Sequence, residues 1–477
     1  MKPFIICCLL IAFRICQEPC LAKETARKKQ QQCDAGKNSD KSNLPSGRDD
    51  SSKSSSSFRG GASSTSTRNS FVLNGMSKPF VPSPYNYRVF VVYEGRLWEN
   101  KKGSGEEWFW INHHRPTCPL GEDGGLVGGD CSLTTDFAPV FAHDHAYAFD
   151  VNGHLWKKKL SKKPVEYLWV LVNEIDIQEF HLPLGPTSDM SLSLSPVSWV
   201  SYDEVEHNAD AMIHLNTGLS KVSISLDTDE WYDAQSPQKT DGQESCWIGL
   251  NGLSPPVIIS NSLIFGLTPM EGLLPSENYK QLWNVMSPEG GWEYRGNPGQ
   301  GLIKCGAPMD DGNWDESGAR NRLFCTTANG KIAQFWQQNP VLDFDPFDPF
   351  DYFADWEWID HGVIDNQDLT FGAEAGVPAK VGEDDVGKVH LTFKKGFDHP
   401  WQLVELYWVD NFENPSYWEW YNHGTPPTQN GDSEVLSDVS GARYGSYVTA
   451  RSSKELWEMK FFFNGDGWTW VNHGTPP

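Results

Sequence analysis

The sequence predicts an all-β protein, a closed seven-bladed β-propeller of four-stranded antiparallel blades spanning about residue 76 to 477. Three observations predict it. A decapeptide recurs with little change: WEWYNHGTPP at Trp418 to Pro427 and WTWVNHGTPP at Trp468 to Pro477, with relatives WFWINHH from Trp108 and WEWIDHG from Trp356. Each copy closes a run of short alternating segments broken by Gly, Asn, Asp and Ser, the pattern of strands joined by hairpins. Aromatic residues make up 13% of the chain, 21 of them Trp, a density suited to sheets packed face to face.

The elements follow in order. The first stretch, MKPFIICCLLIAFRICQEPCLA, has Lys2, an apolar run and a small-residue end, so residues 1–22 are expected to be a secretory signal peptide. Arg14 interrupts the run short of a bilayer span, and no later segment is long and apolar enough for one. Residues 23–75 are rich in Ser, Lys and Gln and poor in large apolar side chains, the composition of a disordered leader. Removing the signal leaves six cysteines in an oxidising compartment. Cys118 with Cys131 is the first disulfide expected, because a Gly-rich loop separates them, and Cys305 with Cys325 the next.

From Met76 onward seven units of about 50 to 60 residues can be laid out as strands a to d. The first reads KPFVPSP, YRVFVVYEG, RLWENKK, WFWINHH, and the second APVFAHD, AYAFDVNG, HLWKKKL, EYLWVLVN. The third reads SPVSWVSY, AMIHLNTG, SKVSISLD, SCWIGLNG, and the fourth PPVIIS, NSLIFGLTP, KQLWNVM, GWEYRGNPG. The fifth, sixth and seventh end in DWEWIDHG, YWEWYNHG and GWTWVNHG. The b strands are placed to begin near Tyr87, Ala146, Ala211, Ser262, Arg322, Lys388 and Ser446. Consecutive four-stranded sheets cover both faces only by closing into a ring.

Two columns carry the candidate chemistry. Strand c repeats Leu-Trp-Glu at Leu97 to Glu99 and Leu456 to Glu458, with Leu-Val-Glu ending at Glu405 and Ile-Ala-Gln ending at Gln334. Strand d repeats two Trp on one face, then Asn or Asp, His and usually Gly. Packing accounts for the Trp, since burying one removes ~200 Å² from water and is worth up to ~5 kcal/mol. Asn-His-Gly reads as a turn in which Asn bonds its own backbone and Gly takes positive φ. A turn has no need of an imidazole, which leaves His113, His361, His423 and His473 as candidate ligand groups.

This pairing of L-W-E with W-x-W-x-[ND]-H-G resembles the repeats of propeller lectins, the fungal fucose-specific lectins and bacterial seven-bladed sugar-binding propellers. The resemblance implies shallow pockets between adjacent blades, in which an aromatic ring stacks on a sugar and acidic or basic groups bond its hydroxyls. Carried over residue by residue, it implies sugar contacts at Arg96, Trp98, Glu99, Glu405, Trp457 and Glu458, with the four histidines beside them. Lys157, Ser223 or a near neighbour, Asn284 and Gln334 replace the Glu in units two to five, and Arg96 is the one Arg adjacent to the motif.

A formal charge of −24 repels nucleic acid and anionic membranes, so neither is an expected partner. Glycans or glycoconjugates are the expected partners, held weakly at each pocket and more strongly through several at once. No G-x-S-x-G, H-E-x-x-H or P-loop is present, and FNGDGWTW departs from the sialidase turn by one residue, so no catalytic residue and no cofactor is expected. The insert DFDPFDPFDYFADW, Asp343 to Trp356, lacks the ligand spacing of a calcium loop and is expected to pack on the propeller without metal. An extracellular protein-binding scaffold is the alternative function, and a propeller glycoside hydrolase a third.

Overall fold

The computed structural model describes residues 75–477 apart from connecting stretches, the longest being 119–129, 173–189, 248–256, 270–279, 310–321 and 338–355. The expected signal peptide, the leader up to residue 74 and all but the last residue of the Asp343 to Trp356 insert lie outside the described residues. The chain divides into two compact units, the larger comprising Phe71–Pro237 and Gly249–Pro477. In the smaller unit, Gln238–Thr240 pairs antiparallel with Ser245–Trp247.

The larger unit is an all-β propeller of six antiparallel blades. Blade 1 holds Arg88–Tyr93, Arg96–Lys102 and Trp108–Asn112; blade 2 runs Val140–Ala142, His145–Phe149, Leu155–Lys159, Val170–Leu171. Blade 3 orders Met190–Ser193, Met212–Asn216, Lys221–Ser225 and Trp231–Asp233. Blade 4 is a double-width sheet of eight strands, from Val257–Ile259 to Trp356–Val363. Blade 5 contains Ala379–Val381, Lys388–Lys394, Trp401–Val409 and Tyr417–Gly424, with Glu374–Ala375 as a fifth short strand. Blade 6 is Ser440–Ala442, Gly445–Ala450, Glu455–Phe462 and Gly467–Gly474.

The count of seven is therefore corrected to six. The residues read as the fourth and fifth units form one sheet because Lys280 of one meander pairs with Leu302, which opens the other. Two further corrections concern individual strands. The third unit's outer strand is Trp231–Asp233, not SCWIGLNG, and its inner strand is Met190–Ser193, while Val197–Val200 pairs with Glu206–Ala209 as a separate hairpin. A tight turn explains the outer strand: Ser225 N donates to Glu230 O and Asp229 N to Ser225 O, so the chain reverses at once and closes a short loop at little entropic cost. In blade 1, Phe80 makes the one bridge among the described residues of KPFVPSP, to Phe90, with Met76 bridging Tyr93 just ahead of it, since Pro79 and Pro82 have no N–H to donate to a ladder.

The core lies in the seams. Phe90, Val92 and Leu97 of blade 1 pack against Ala146 and Ala148 of blade 2, and Tyr147 and Phe149 share a cluster with Ile213 and Leu215 of blade 3. Phe324 and Ile332 of blade 4 meet Val389 and Leu391 of blade 5, and Leu403 of blade 5 meets Val448 and Met459 of blade 6. The ring closes where Met76, Val89 and Val91 pack with Ala442, Tyr447 and Leu456 of the last blade. Near the axis the inner strands approach backbone to backbone: a Cβ on Gly306 would stand 2.2 Å from Pro378 O, and one on Gly441 1.7 Å from Lys380 O. Only glycine leaves room for that approach.

Both expected disulfides form. Cys118 bonds Cys131 in the segment leading to blade 2, and Cys305 bonds Cys325 across adjacent strands of blade 4.

Candidate functional site: the blade seams and an open cleft

The repeated strand-d signature is a clamp between neighbouring blades. Asn112, Asp360, Asn422 and Asn472 each accept a hydrogen bond from the backbone N–H two residues on, at 2.6 to 2.8 Å. The residue donating that bond has positive φ: Gly362 at 80°, Gly424 at 70°, Gly474 at 72°, and His114 at 61° where the motif lacks glycine. The strand pairing slips at this turn, so Leu403 faces Gly424 while Val404 faces Asn422, and Leu456 faces Gly474 while Trp457 faces Asn472. Such a bulge adds one residue and re-aims its side chain. The extra residue is the histidine.

Each histidine turns inward onto strand c of its own blade. Nε2 of His113 lies 2.8 Å from Glu99 Oε2, that of His423 2.8 Å from Glu405 Oε2, that of His473 3.0 Å from Glu458 Oε2, and that of His361 2.8 Å from Gln334 Oε1. The same residue's carbonyl faces the next blade. Trp110 Nε1 donates to His473 O at 3.1 Å, Trp470 Nε1 to His423 O at 3.2 Å and Trp169 Nε1 to His113 O at 3.2 Å. The first Trp of the pair then packs on the preceding blade's imidazole: Trp108 on His473 at 4.6 Å, Trp418 on His361 at 5.4 Å and Trp468 on His423 at 5.1 Å between ring centres. His423 and His473 thus each tie three partners, their own Glu and both tryptophans of the next blade, whereas His361 meets Trp418 and His113 meets Trp169.

The electrostatics match this burial. Desolvation pushes the Glu99 carboxyl upward, but hydrogen bonds from His113 and from Arg88 Nε, 2.6 Å away, overcome it and bring its pKa to about 2. Burial acts the same way on Glu405, and contacts from His390, His423 and Lys388 hold it well below the usual carboxylate range. Where the carboxylate is replaced by Gln334, burial dominates and His361 falls to about 4. Arg88 also lies over the rings of Phe90 and Phe141, which links the Glu99 pair to the seam with blade 2.

The ten residues singled out in the sequence are therefore distributed as follows. Glu99, Glu405 and Glu458 have side chains 2 to 3% exposed and are bonded within their blades. Trp98 and Trp457 are 6% and 4% exposed and sit in the seams. The four histidines join these glutamates or Gln334, and Arg96 stands apart, exposed at the hairpin that begins its strand. What sequence reasoning missed is a cleft of about 330 Å³ lined by Lys394, Phe397, Asp398, His399, Trp401, Ser433, Glu434 and Val435. It lies between the hairpin of blade 5 and the segment entering blade 6. Phe397 is 61% exposed, and Asp398 and His399 are exposed beside it. Glu434 at its floor is buried, its carboxylate accepting the backbone N–H groups of Ser452 at 2.6 Å and Ser453 at 3.1 Å, so it shapes the cleft. The loop FDHPW carries no repeat, and only the fold brings it to Ser433.

Fold and seams define a closed six-bladed β-propeller with self-bonded Glu–His clamps and an open aromatic cleft. Neither a family model nor a curated protein matches the chain. Solved structures that share its fold loosely include a lectin from Aleuria aurantia in complex with Fucα1-6GlcNAc, at 12% identity and a TM-score of 0.35, covering 70% of this chain and 92% of that one. A putative 6-phosphogluconolactonase from Bacteroides uniformis aligns at 9% identity and a TM-score of 0.41, covering 84% and 95%, and YCF48 bound to D1 peptide at 10% and 0.43, covering 82% and 94%. All lie below a TM-score of 0.5, so the functional reading rests on this chain's own residues.

Proposed function

We propose that this protein is a secreted, non-catalytic carbohydrate-binding propeller whose partners are glycans or glycoconjugates. The observation that carries the reading is the open cleft in which the exposed Phe397 ring and Trp401 stand beside Asp398, His399 and Lys394. A sugar offers a C–H face and a rim of hydroxyls, and an aromatic surface flanked by a carboxylate, an imidazole and an ammonium answers both. At about 330 Å³ the cleft is at the small end of ligand pockets, suited to one or two sugar rings held weakly. Several weak sites on one rigid ring gain on a surface that presents many copies of the sugar.

In this reading Arg96 is a direct contact at a second site, while Trp98, Trp457, the three glutamates and the four histidines act from behind, fixing the seams. The two disulfides fit the secretory route. A glycan array probed with the full chain tests the proposal. Selective retention that falls at least ~10-fold in Phe397→Ala and Asp398→Ala supports it. Silence across all sugars, with retention of a protein from the same extracellular fluid, favours the scaffold instead. Turnover of a chromogenic glycoside abolished by removing one carboxylate favours the hydrolase.

A further inference from the structure

Blade 5 departs from the clamp of its sisters at one position. In the other three blades that carry the clamp, the Glu or Gln of strand c faces an aromatic residue of strand b: Phe90 faces Glu99, Phe324 faces Gln334 and Tyr447 faces Glu458, while blade 3, with Ser223 in place of the Glu, has His214 there. Those rings rest near the clamp histidine at 6.2, 5.9 and 5.8 Å. In those three blades an aromatic ring fills the position beside the clamp. In blade 5 the residue facing Glu405 is His390.

This second imidazole is fully buried, and its two nitrogens have different surroundings. Nδ1 lies 2.9 Å from the Ser446 hydroxyl of blade 6. Nε2 points at Glu405 Oε2 from 3.5 Å without the alignment of a hydrogen bond. With the proton on Nδ1 and donated to Ser446, the Nε2 lone pair faces a carboxylate oxygen, and two acceptors in a sealed site call for a cation between them. His423 Nε2 completes the set at 2.8 Å from the same oxygen, and all three donor atoms lie within 4.8 Å of one another.

We propose that His390, His423 and Glu405 form a transition-metal site that takes zinc(II), with Ser446 as the outer partner that orients His390. Two imidazoles and one carboxylate are a donor set zinc accepts, leaving its fourth position to water. A hydroxyl on the far nitrogen of a metal-bound histidine fixes its tautomer and ring orientation. Trp468 stands 5.2 Å from His390 and 5.1 Å from His423 and shields the set from solvent, while Lys388 Nζ lies 3.6 Å from the other oxygen of Glu405. The ion would pin three adjacent strands of blade 5 together. The sequence alone assigned no metal, because His390 lies outside the repeated signature.

The test uses the full chain stripped with a chelator and then given zinc alone, read by calorimetry and metal analysis, with cobalt(II) absorption reporting the donor set. His390→Phe installs the residue that two sister positions already carry, and Glu405→Gln copies the pair made by Gln334 and His361. Wild type is expected to take up one equivalent more than either variant, or to bind it at least ~100-fold more tightly, with the near-ultraviolet spectrum of the variants unchanged. Equal zinc uptake by wild type and both variants overturns the proposal, as does a wild type that takes none and shows its proton on His390 Nε2. Metal uptake is read apart from glycan retention, so the two proposals fail separately.

Discussion

Replacing Glu99 by Gln separates the charge of the clamp from its shape. The isostere keeps the hydrogen bond to His113, as Gln334 keeps one to His361 at 2.8 Å, but it withdraws the anion from Arg88. In the folded protein the Glu99 carboxyl has a pKa of about 2 against an ordinary 4.5, and its side chain is 3% exposed, so solvent screens little of the difference. That depression corresponds to about 3 kcal/mol, at ~1.4 kcal/mol per pH unit. A carboxylate held low contributes stability above pH 4.5, where it is ionised in both states, and loses it as the pH falls towards 2. Urea unfolding of wild type and Glu99→Gln should therefore differ by about 3 kcal/mol at pH 7 and pH 5. The gap should shrink by about 2 kcal/mol between pH 4.5 and pH 3. Other acids titrate in both proteins and cancel in the difference. A gap that stays constant from pH 7 to pH 3, or one under about 1 kcal/mol at pH 7, would refute the charged-clamp reasoning.

Two further outcomes bear on the ring. Trp470→Phe removes the indole N–H from His423 O and leaves a carbonyl without its partner, at a cost of about 1 to 3 kcal/mol in chemical denaturation; Trp110→Phe, at the seam joining first and last blades, should cost a similar amount. Gly441→Ala forces a Cβ against the Lys380 backbone and should cost about 3 kcal/mol or more, whereas Gly474→Ala, open but at φ 72°, should cost only about 1 to 2 kcal/mol, a contrast that thermal unfolding of the pair resolves.

Much of the fold was legible because the repeat carries local information. The b strands expected to begin near Tyr87, Ala146, Ala211, Ser262, Arg322, Lys388 and Ser446 begin at Arg88, His145, Met212, Leu263, Arg322, Lys388 and Gly445. Alternation and turn residues fix such positions to within a residue, since both act over a few bonds. The third unit misled because SCWIGLNG has the composition of an outer strand, while Trp231–Asp233, only three residues long, is nearer along the chain and closes the smaller loop. Composition does not measure loop length.

What the sequence determined by itself was the all-β class, the ring-forming repeat, the order of strands within most blades and both disulfide partnerships, all of which follow from spacing along the chain. The tertiary structure decided the rest. Lys280 against Leu302 merged two meanders into one sheet, a single pairing that no local pattern encodes. The burial of Glu99, Glu405 and Glu458, the use of each histidine by two blades, the meeting of Phe397 with Ser433 and the convergence of His390 on Glu405 and His423 depend on which faces meet when the ring closes. Side chains far apart in sequence acquire a common environment only then, and with it their protonation, their partners and their chemistry.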